Sequence, residues 1–298
     1  MAPSMKSALI CALVTSALVA SSAPTQAAFP GHNGRIVFGG CGGCERGDES
    51  ELFSADEDGS HLVRLTRNAR WDGEAEYSPD GQQIAFGCHG SFRAGSPGRE
   101  ICSMNSDGSD RIRVMDNDVD ENSPTWSPDG EKISFVRGYW NDSEIWIVDS
   151  DGTNERQITN NSFQEFEPAW SPDGELIAFM SYRHQNQDIF VISPDGTGEA
   201  NLTNSHVHEG EPNWSPDGSK IAYVHSFPRG WAIFVMQRDG SHPHWIRVGL
   251  NPAWAPNGRW IAFDHNGIFK VHPNGKRKTL MVARSDERSY FMSDWQSR

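Results

Sequence analysis

Carboxylate side chains recur in this sequence at two fixed distances ahead of a repeated aromatic residue. An acidic residue stands five positions before the aromatic residue in four repeats and three positions before it in three of them. Such a cluster could bind a hard cation such as Ca²⁺, or a cationic segment of a partner. Alternatively, each carboxylate accepts hydrogen bonds from backbone N–H groups of the neighbouring repeat. The candidate binding residues are Asp72, Glu74, Glu121, Glu165, Glu167, Glu209 and Glu211.

Two further groups have side chains that suit metal ions. Asp116, Asp118 and Asp120 alternate with other residues in one polar stretch, although the glycine of a calcium-binding loop is missing. His206 and His208 stand two residues apart beside an acidic residue and suit a transition metal. Because the other repeats have no histidine at the equivalent positions, surface histidines without a metal are the simpler interpretation.

These candidates flank a ten-residue motif that recurs at a nearly constant period. Its copies begin at Tyr77, Trp126, Trp170, Trp214 and Trp254, and the copy at Trp170 reads WSPDGELIAF. Successive copies are 49, 44, 44 and 40 residues apart. This spacing is the length of one four-stranded propeller blade.

One repeat, from Glu167 to Thr203, predicts four strands. The first ends at Trp170, and the Ser-Pro-Asp-Gly sequence that follows favours a tight turn. The alternation from Leu176 to Ser181 predicts the second strand. Residues 188–193 (DIFVIS) and 199–203 (EANLT) predict the third and outer strands, joined by a second turn at Asp-Gly.

The two ends of the chain supply the parts of a sixth repeat. Residues 33–38 (NGRIVF) match the second half of the motif, and residues 293–296 (SDWQ) match the first half, with Trp295 in the place of Trp170. Pairing of these segments would close a ring and remove the free sheet edges. We therefore predict an all-β fold: a single domain over residues 29–298 that is a six-bladed β-propeller of four-stranded antiparallel blades. The N- and C-terminal strands pair to close it.

One face of this propeller is expected to carry the functional residues. The Ser-Pro-Asp-Gly and Asp-Gly turns share the lower face, whereas each first strand begins at the upper face, beside the loops between second and third strands. Period-two alternation would point both sets of carboxylates the same way, which predicts a crescent of negative charge at the channel mouth. The upper loops add aromatic, arginine and histidine side chains that suit a protein or glycan partner. They are Trp140, Arg183, His184, Arg229 and Trp231.

The charge balance narrows the range of partners. The 298-residue chain has a formal net charge of −14. This charge argues against nucleic acid and anionic membrane surfaces as partners. A general role of the acidic surface in keeping a secreted protein soluble is an alternative interpretation.

The first 28 residues are typical of a secretory signal peptide. Lys6 precedes an apolar run of 13 residues from Ala8 to Ala20, and small residues then predict cleavage near Ala27 or Ala28. The run is shorter than the roughly 20 residues of a membrane span. We therefore expect a protein that is secreted, extracellular or periplasmic, without membrane insertion.

Four cysteines remain after this segment, at Cys41, Cys44, Cys88 and Cys102. An even number in an exported protein indicates disulfides, with three possible connectivities. We expect Cys41 to pair with Cys44 and Cys88 with Cys102. A zinc site is the alternative, although the C-x2-C spacing occurs only once.

The motif set resembles the propeller domain of TolB and its WD-like relatives. The pattern Pro-x-Trp-Ser-Pro-Asp-Gly-x-x-Ile-Ala-Phe is followed by Asp-Ile-Phe-Val and by Asp-Gly-Thr, and the resemblance extends from about Gly34 to Trp295. It implies a six-bladed propeller, and TolB is a periplasmic protein of the Tol-Pal envelope system that binds partner proteins. We expect no separate α/β domain ahead of the propeller, although TolB has one.

The leading functional hypothesis is a secreted, non-enzymatic and monomeric binding module. Its acidic channel mouth would hold a protein or glycan partner; no cofactor is firmly implied, and Ca²⁺ is the candidate ion. The alternative is a metal-dependent polysaccharide lyase or another carbohydrate-active enzyme, because a lyase that resembles this class holds a channel metal mainly through histidines. Some similar propellers precede a peptidase domain, but the Gly-x-Ser-x-Gly motif of such peptidases is missing.

Overall fold

The computed structural model describes residues 33–42, 50–68, 70–89, 98–117, 119–138, 142–183, 185–228, 230–283 and 288–297. Within these ranges, 24 strands form six four-stranded antiparallel sheets. Each sheet is one blade of a propeller, so the predicted all-β fold is confirmed. The described residues include no helix of the length and apolarity needed to span a membrane.

The strands are numbered in chain order, and each blade is given from its inner to its outer strand. Blade 1 contains β24 (Arg288–Ser297), β1 (Asn33–Gly42), β2 (Glu51–Ala55) and β3 (Val63–Arg64). Blade 2 contains β4 (Asp72–Tyr77), β5 (Gln83–His89), β6 (Arg99–Asn105) and β7 (Ile112–Arg113). Blade 3 contains β8 (Glu121–Trp126), β9 (Lys132–Arg137), β10 (Glu144–Asp149) and β11 (Arg156–Gln157).

The second half of the ring repeats this order. Blade 4 contains β12 (Gln164–Trp170), β13 (Ile177–Arg183), β14 (Asn186–Ile192) and β15 (Ala200–Asn201). Blade 5 contains β16 (Glu209–Trp214), β17 (Lys220–Phe227), β18 (Gly230–Gln237) and β19 (His244–Val248). Blade 6 contains β20 (Leu250–Trp254), β21 (Ile261–Asp264), β22 (Gly267–Val271) and β23 (Thr279–Ala283).

Blade 1 closes the ring with strands from both ends of the chain. The C-terminal strand β24 pairs antiparallel with β1, and Trp295 lies opposite Ile36. Trp295 is buried in a cluster with Ile36 and Phe38. The predicted closure is therefore confirmed, and it leaves no inner or second strand of the ring without a partner.

The Ile-Ala-Phe part of each motif is apolar at consecutive positions because neighbouring blades cover both faces of every sheet. In β13, Ile177 and Phe179 pack with residues of blade 3, whereas Ala178 packs against residues of blade 5. All three are fully buried. Because each buried aliphatic or aromatic side chain stabilises the fold by about 1.5 to 3 kcal/mol relative to exposure, this repeated packing holds the ring together.

The Ser-Pro-Asp-Gly turns are held by hydrogen bonds of their own side chains. Ser171 Oγ donates to Asp173 Oδ1 at 2.6 Å and accepts a hydrogen bond from the Leu176 N–H at 2.9 Å. Gly174 has a φ of 71°, in the left-handed region that glycine adopts without steric strain. The motif serine and aspartate therefore stabilise their own turn, which agrees with a structural role.

Replacing Ser171 with alanine should lower the free energy of unfolding by about 1 to 2 kcal/mol, because two hydrogen bonds of a buried hydroxyl are lost. Urea denaturation of the wild type and S171A measures this difference. The matched control is S162A, which changes an exposed serine in the loop before β12 and should alter stability by less than about 0.5 kcal/mol. Equal effects of the two substitutions would contradict the role assigned to the motif serine.

One of the two expected disulfides joins neighbouring strands of blade 2. Cys88 of β5 and Cys102 of β6 are bonded, with their Cα atoms 5.9 Å apart, and both side chains are buried. This pairing is confirmed. The expected bond between Cys41 and Cys44 remains a prediction, because Cys44 lies outside the described residues, as does the predicted signal peptide over residues 1–28.

Candidate functional site

The inner strands surround a cavity of about 250 Å³ in the central channel. Among the described residues, its lining contains five carboxylates and no lysine or arginine. The rest of the lining consists of prolines, two alanines and the polar residues Ser123, Thr125, Asn213 and Asn251. The carboxylates are those of Glu74, Glu76, Glu167, Glu211 and Asp294.

A β-bulge in each of the inner strands β4, β8, β12, β16 and β20 turns one residue toward the channel. In β12 the register shifts between Phe166 and Ala169, and Glu167 takes a φ of 55°. Glu74, Ser123, Glu211 and Asn251 occupy the same position in their blades, with φ between 51° and 52°. Because a bulge adds one residue to the inner strand, side chains on either side of it no longer alternate with period two.

The bulge residues form a layer of hydrogen bonds between successive blades. The Ser123 N–H donates to Glu74 Oε2 at 2.7 Å, and the Glu211 N–H donates to Glu167 Oε2 at 2.7 Å. The Asn251 N–H donates to Glu211 Oε2 at 2.5 Å. The alternative role considered for these glutamates, as acceptors for the next repeat, is therefore present in the structure. Each glutamate uses only one of its two oxygens in this way.

A second set of acceptors lies one residue before the motif aromatic in blades 1, 2 and 5, at Asp294, Glu76 and Asn213. Glu76 Oε2 accepts a hydrogen bond from the Trp126 N–H at 2.6 Å, and Asp294 Oδ2 accepts one from the Tyr77 N–H at 3.0 Å. Sequence reasoning did not include Glu76 and Asp294 among the site residues. Their constant position directly before the aromatic residue is the signal that could have identified them.

Burial and mutual repulsion raise the pKa of the channel carboxyls. Burial and the charge of Glu74 raise the pKa of Glu167 to about 7, and burial and the charge of Glu167 raise that of Glu211 to about 8. Burial raises the pKa of Asp294 to about 7, and burial together with the charge of Asp294 raises that of Glu76. At neutral pH several of these carboxyls are therefore partly protonated, and a cation in the cavity would favour their ionised forms.

The carboxylates five positions before the motif aromatic do not line this cavity. Asp72, Glu121 and Glu165 are fully buried and Glu209 is 3% exposed. The expectation that both sets face the channel mouth is therefore wrong for these four residues. The reason is the bulge, because it separates the two positions and leaves the earlier one facing the packed side of the blade.

Each of these four buried carboxylates is paired with a cationic or imidazole side chain that lies over an aromatic ring. Arg137 lies 4.4 Å from the ring centre of Trp146, and Arg183 lies 4.1 Å from that of Phe190. Arg111 lies 5.1 Å from the ring centre of Phe86, and the His225 ring stacks on Phe234 at 4.7 Å. Burial still raises the pKa of Glu121 above its usual value. The pairs are Asp72 with Arg111 at 2.9 Å, Glu121 with Arg137 at 2.7 Å, Glu165 with Arg183 at 3.3 Å and Glu209 with His225 at 2.7 Å.

The remaining metal candidates are dispersed. Asp116 is exposed and pairs with Arg113 at 3.0 Å, whereas Asp120 accepts a hydrogen bond from the Arg99 N–H. His206 is exposed, and the His208 ring stacks on Tyr182. Asp118 lies outside the described residues. Within the part of the chain that the structure describes, no three His, Cys, Asp or Glu side chains are grouped as a metal site would require.

Two of the upper-loop candidates can be placed. Arg183 is mostly buried along blade 4 and pairs with Glu199 at 2.7 Å. Its guanidinium therefore forms ion pairs within the blade and is not presented to a partner. Trp231 is half-buried at the start of β18. Trp140, His184 and Arg229 lie outside the described residues, and their proposed role in binding remains a prediction.

Solved structures share this architecture at low sequence identity. TolB from Acinetobacter baumannii matches with a TM-score of 0.74 and 19% identity over 91% of this chain and 67% of that chain. A putative TolB from Agrobacterium tumefaciens matches with a TM-score of 0.61 and 21% identity over 75% and 87%. Oligogalacturonate lyase from Vibrio parahaemolyticus matches with a TM-score of 0.57 and 13% identity over 80% and 72%. At these identities the likeness shows the fold alone.

Sequence comparison identifies the family. A search of curated protein sequences returns no match. The family model of the TolB beta propeller domain matches residues 109–290, which is more than half of the chain. The six blades and the TolB structures agree with this match. The chain therefore belongs to the TolB beta propeller domain family.

Proposed function

We propose that this protein is an exported, non-enzymatic binding module whose acidic channel receives a cationic segment of a protein partner. The observation that carries the proposal is the cavity of about 250 Å³ lined by five carboxylates without a lysine or arginine among the described residues. Lysine or arginine side chains are long enough to enter a channel while their backbone stays at its mouth. They would meet carboxylate oxygens that the hydrogen bonds between blades leave free.

Electrostatics favours a cation in this position. Burial, and then the charge of a neighbouring carboxylate, raises the pKa values of Glu167 and Glu211. A bound cation would lower both values and release protons, so affinity should increase between about pH 6 and pH 8. Arg99 approaches Glu74 to 3.9 Å, and it offers an internal example of the contact that a partner would make.

A divalent ion such as Ca²⁺ is the competing occupant of the same channel. Carboxylate oxygens are the ligands that Ca²⁺ prefers. The described residues, however, do not bring three acidic side chains to coordinating positions. Cationic side chains, which need only one or two carboxylates each, therefore fit this arrangement better than a single ion.

Binding of a fluorescein-labelled lysine-rich peptide, followed by anisotropy, tests the proposal. The double variant E167Q/E211Q should weaken binding about tenfold or more, because two channel charges are lost. The matched control E131Q/E175Q removes two exposed charges from Ser-Pro-Asp-Gly turns and should change affinity less than about twofold. Gln keeps the oxygen that accepts the neighbouring N–H, so folding is preserved.

Three results would contradict the proposal. The first is no binding of the peptide by the wild type, and the second is an equal loss in both double variants. The third is cleavage of polygalacturonate in the presence of Mn²⁺, which would favour the lyase alternative. A thermal shift with Ca²⁺ that EDTA reverses and E167Q/E211Q abolishes would identify the ion as the occupant instead.

A further inference from the structure

Blade 6 departs from the ion-pair arrangement of blades 2 to 5. Its cation is Lys278, whose Nζ lies 3.6 Å from the centroid of the Phe269 ring. The position of the buried carboxylate is taken by Gly249. A Cβ at Gly249 would meet Phe263 Cδ2 at 2.5 Å, so packing leaves no room for an acidic side chain there. Lys278 therefore keeps the aromatic contact and lacks the carboxylate.

A second cation, from blade 5, reaches the turn that precedes Lys278. Arg247 of β19 donates from Nη2 to the Gly275 carbonyl at 2.9 Å, and its Nε is buried without a hydrogen-bond partner. Burial and the charge of Arg247 lower the pKa of Lys278. Neither side chain forms an ion pair with any residue that the structure describes. Two neighbouring cations with unused donors form a site suited to an anion.

The stretch of chain that contains both cations is basic although the protein as a whole is acidic. Residues 230–283 contain seven lysines and arginines and two aspartates, a net charge of +5, against −14 for the whole chain. Lys276 and Arg277 are exposed in the turn before β23 and, like Arg259, form no ion pair with described residues. Most of the other described arginines are paired with carboxylates or backbone carbonyls.

The outer strands of these two blades also differ from the others. β19 and β23 are five residues long, whereas β3, β7, β11 and β15 have two residues each. Leu280 of β23 is 48% exposed. No strand among the described residues pairs with the outer edge of β23. Such an edge offers backbone N–H and C=O groups to an added strand.

We propose that the outer surface formed by Arg247, Lys276–Lys278 and β23 binds an extended acidic segment of a protein partner, which adds a strand to blade 6. Carboxylates of the segment would neutralise Arg247 and Lys278, as the buried acidic residues do in blades 2 to 5. Apolar residues alternating with them would cover Leu280. A polypeptide suits this surface better than an acidic polysaccharide or lipid, because only a polypeptide can pair with a strand edge along its backbone.

Fluorescence anisotropy with a labelled peptide of alternating glutamate and valine tests this second surface. The variant R247Q/K278Q should raise Kd about tenfold or more, since charge-assisted hydrogen bonds are lost. The control K132Q/R156Q removes two cations from blade 3 and should raise Kd less than about twofold. If R247Q/K278Q does not fold, K276Q/R277Q carries the same test, because both side chains are exposed in a turn.

Two further probes separate this surface from its alternatives. E167Q/E211Q should leave binding of the acidic peptide unchanged, so that the outcome is distinct from that for the channel. The same peptide N-methylated at alternate residues should lose binding, because methyl groups block strand addition. The proposal is overturned if the wild type does not bind the acidic peptide, or if R247Q/K278Q and the control K132Q/R156Q weaken binding equally. It is overturned too if the N-methylated peptide binds with the same affinity as the unmodified one. It is also overturned if polygalacturonate binds this surface and the acidic peptide does not.

Discussion

Replacing Glu121 with alanine is expected to lower the free energy of unfolding by about 3 to 5 kcal/mol. The Glu121 side chain is fully buried. It accepts hydrogen bonds from Arg137 Nε at 2.9 Å and Nη2 at 2.7 Å. Asn117 Nδ2 donates to the same oxygen at 2.8 Å. Removal of the carboxylate would leave the Arg137 side chain, which is only 12% exposed, without its buried partner.

The matched control changes the other partner of the same arginine. Glu155 contacts Arg137 Nη2 at 2.6 Å, but its side chain is 48% exposed. Because solvent screens such a pair, E155A should lower stability by about 1 kcal/mol or less. Chemical denaturation of the wild type and both variants measures the difference. If E121A is as stable as the wild type but does not bind a lysine-rich peptide, Glu121 is a binding residue and the structural role is contradicted.

The stability of the protein is expected to decrease as pH rises from about 5 to about 9. Glu167, Glu211 and Asp294 have pKa values of about 7 to 8 in the folded protein, above the ordinary 3.8 to 4.5. Between the ordinary and the raised values, the folded state holds protons that the unfolded chain has released. Their contribution is complete below about pH 4 and is lost as pH passes through 7 to 8.

The expected decrease is on the order of 3 kcal/mol. Urea denaturation at about pH 5, 7 and 9 measures it. E167Q/E211Q should show a clearly smaller decrease, since glutamine does not ionise, whereas E131Q/E175Q should match the wild type. Stability that stays constant or increases toward about pH 9 would show that the channel carboxyls are not perturbed in this way.

The two predictions distinguish residues that the sequence groups together. Glu121 and Glu167 both precede a motif tryptophan, by five and by three positions. Glu121 neutralises an arginine inside a blade, and Glu167 faces a cavity whose described lining contains no lysine or arginine. Substitution of the first should therefore affect mainly stability, and substitution of the second should affect mainly binding and pH dependence.

The propeller could be predicted from the sequence because its signals are local and repeated. Each Trp-Ser-Pro-Asp-Gly motif specifies a strand end and a turn through its own residues, as the hydrogen bonds of Ser171 and Asp173 show. The incomplete motifs around Ile36 and Trp295 were sufficient to predict ring closure, and Cys88 with Cys102 was predicted correctly. All of these features depend on neighbours in the chain or on copies of one pattern.

The candidate site was only partly predictable, because it depends on contacts that no local pattern records. Glu74, Glu167 and Glu211 were identified, but the bulge separated them from Asp72, Glu121, Glu165 and Glu209, and Glu76 and Asp294 took their place in the channel.

By itself, therefore, the sequence determined the blades, their number and their order. Only the tertiary structure decided which carboxylates meet a cation and which meet the cavity. The physical reason is that the charge state of a buried carboxylate depends on its burial and on partners from distant parts of the chain.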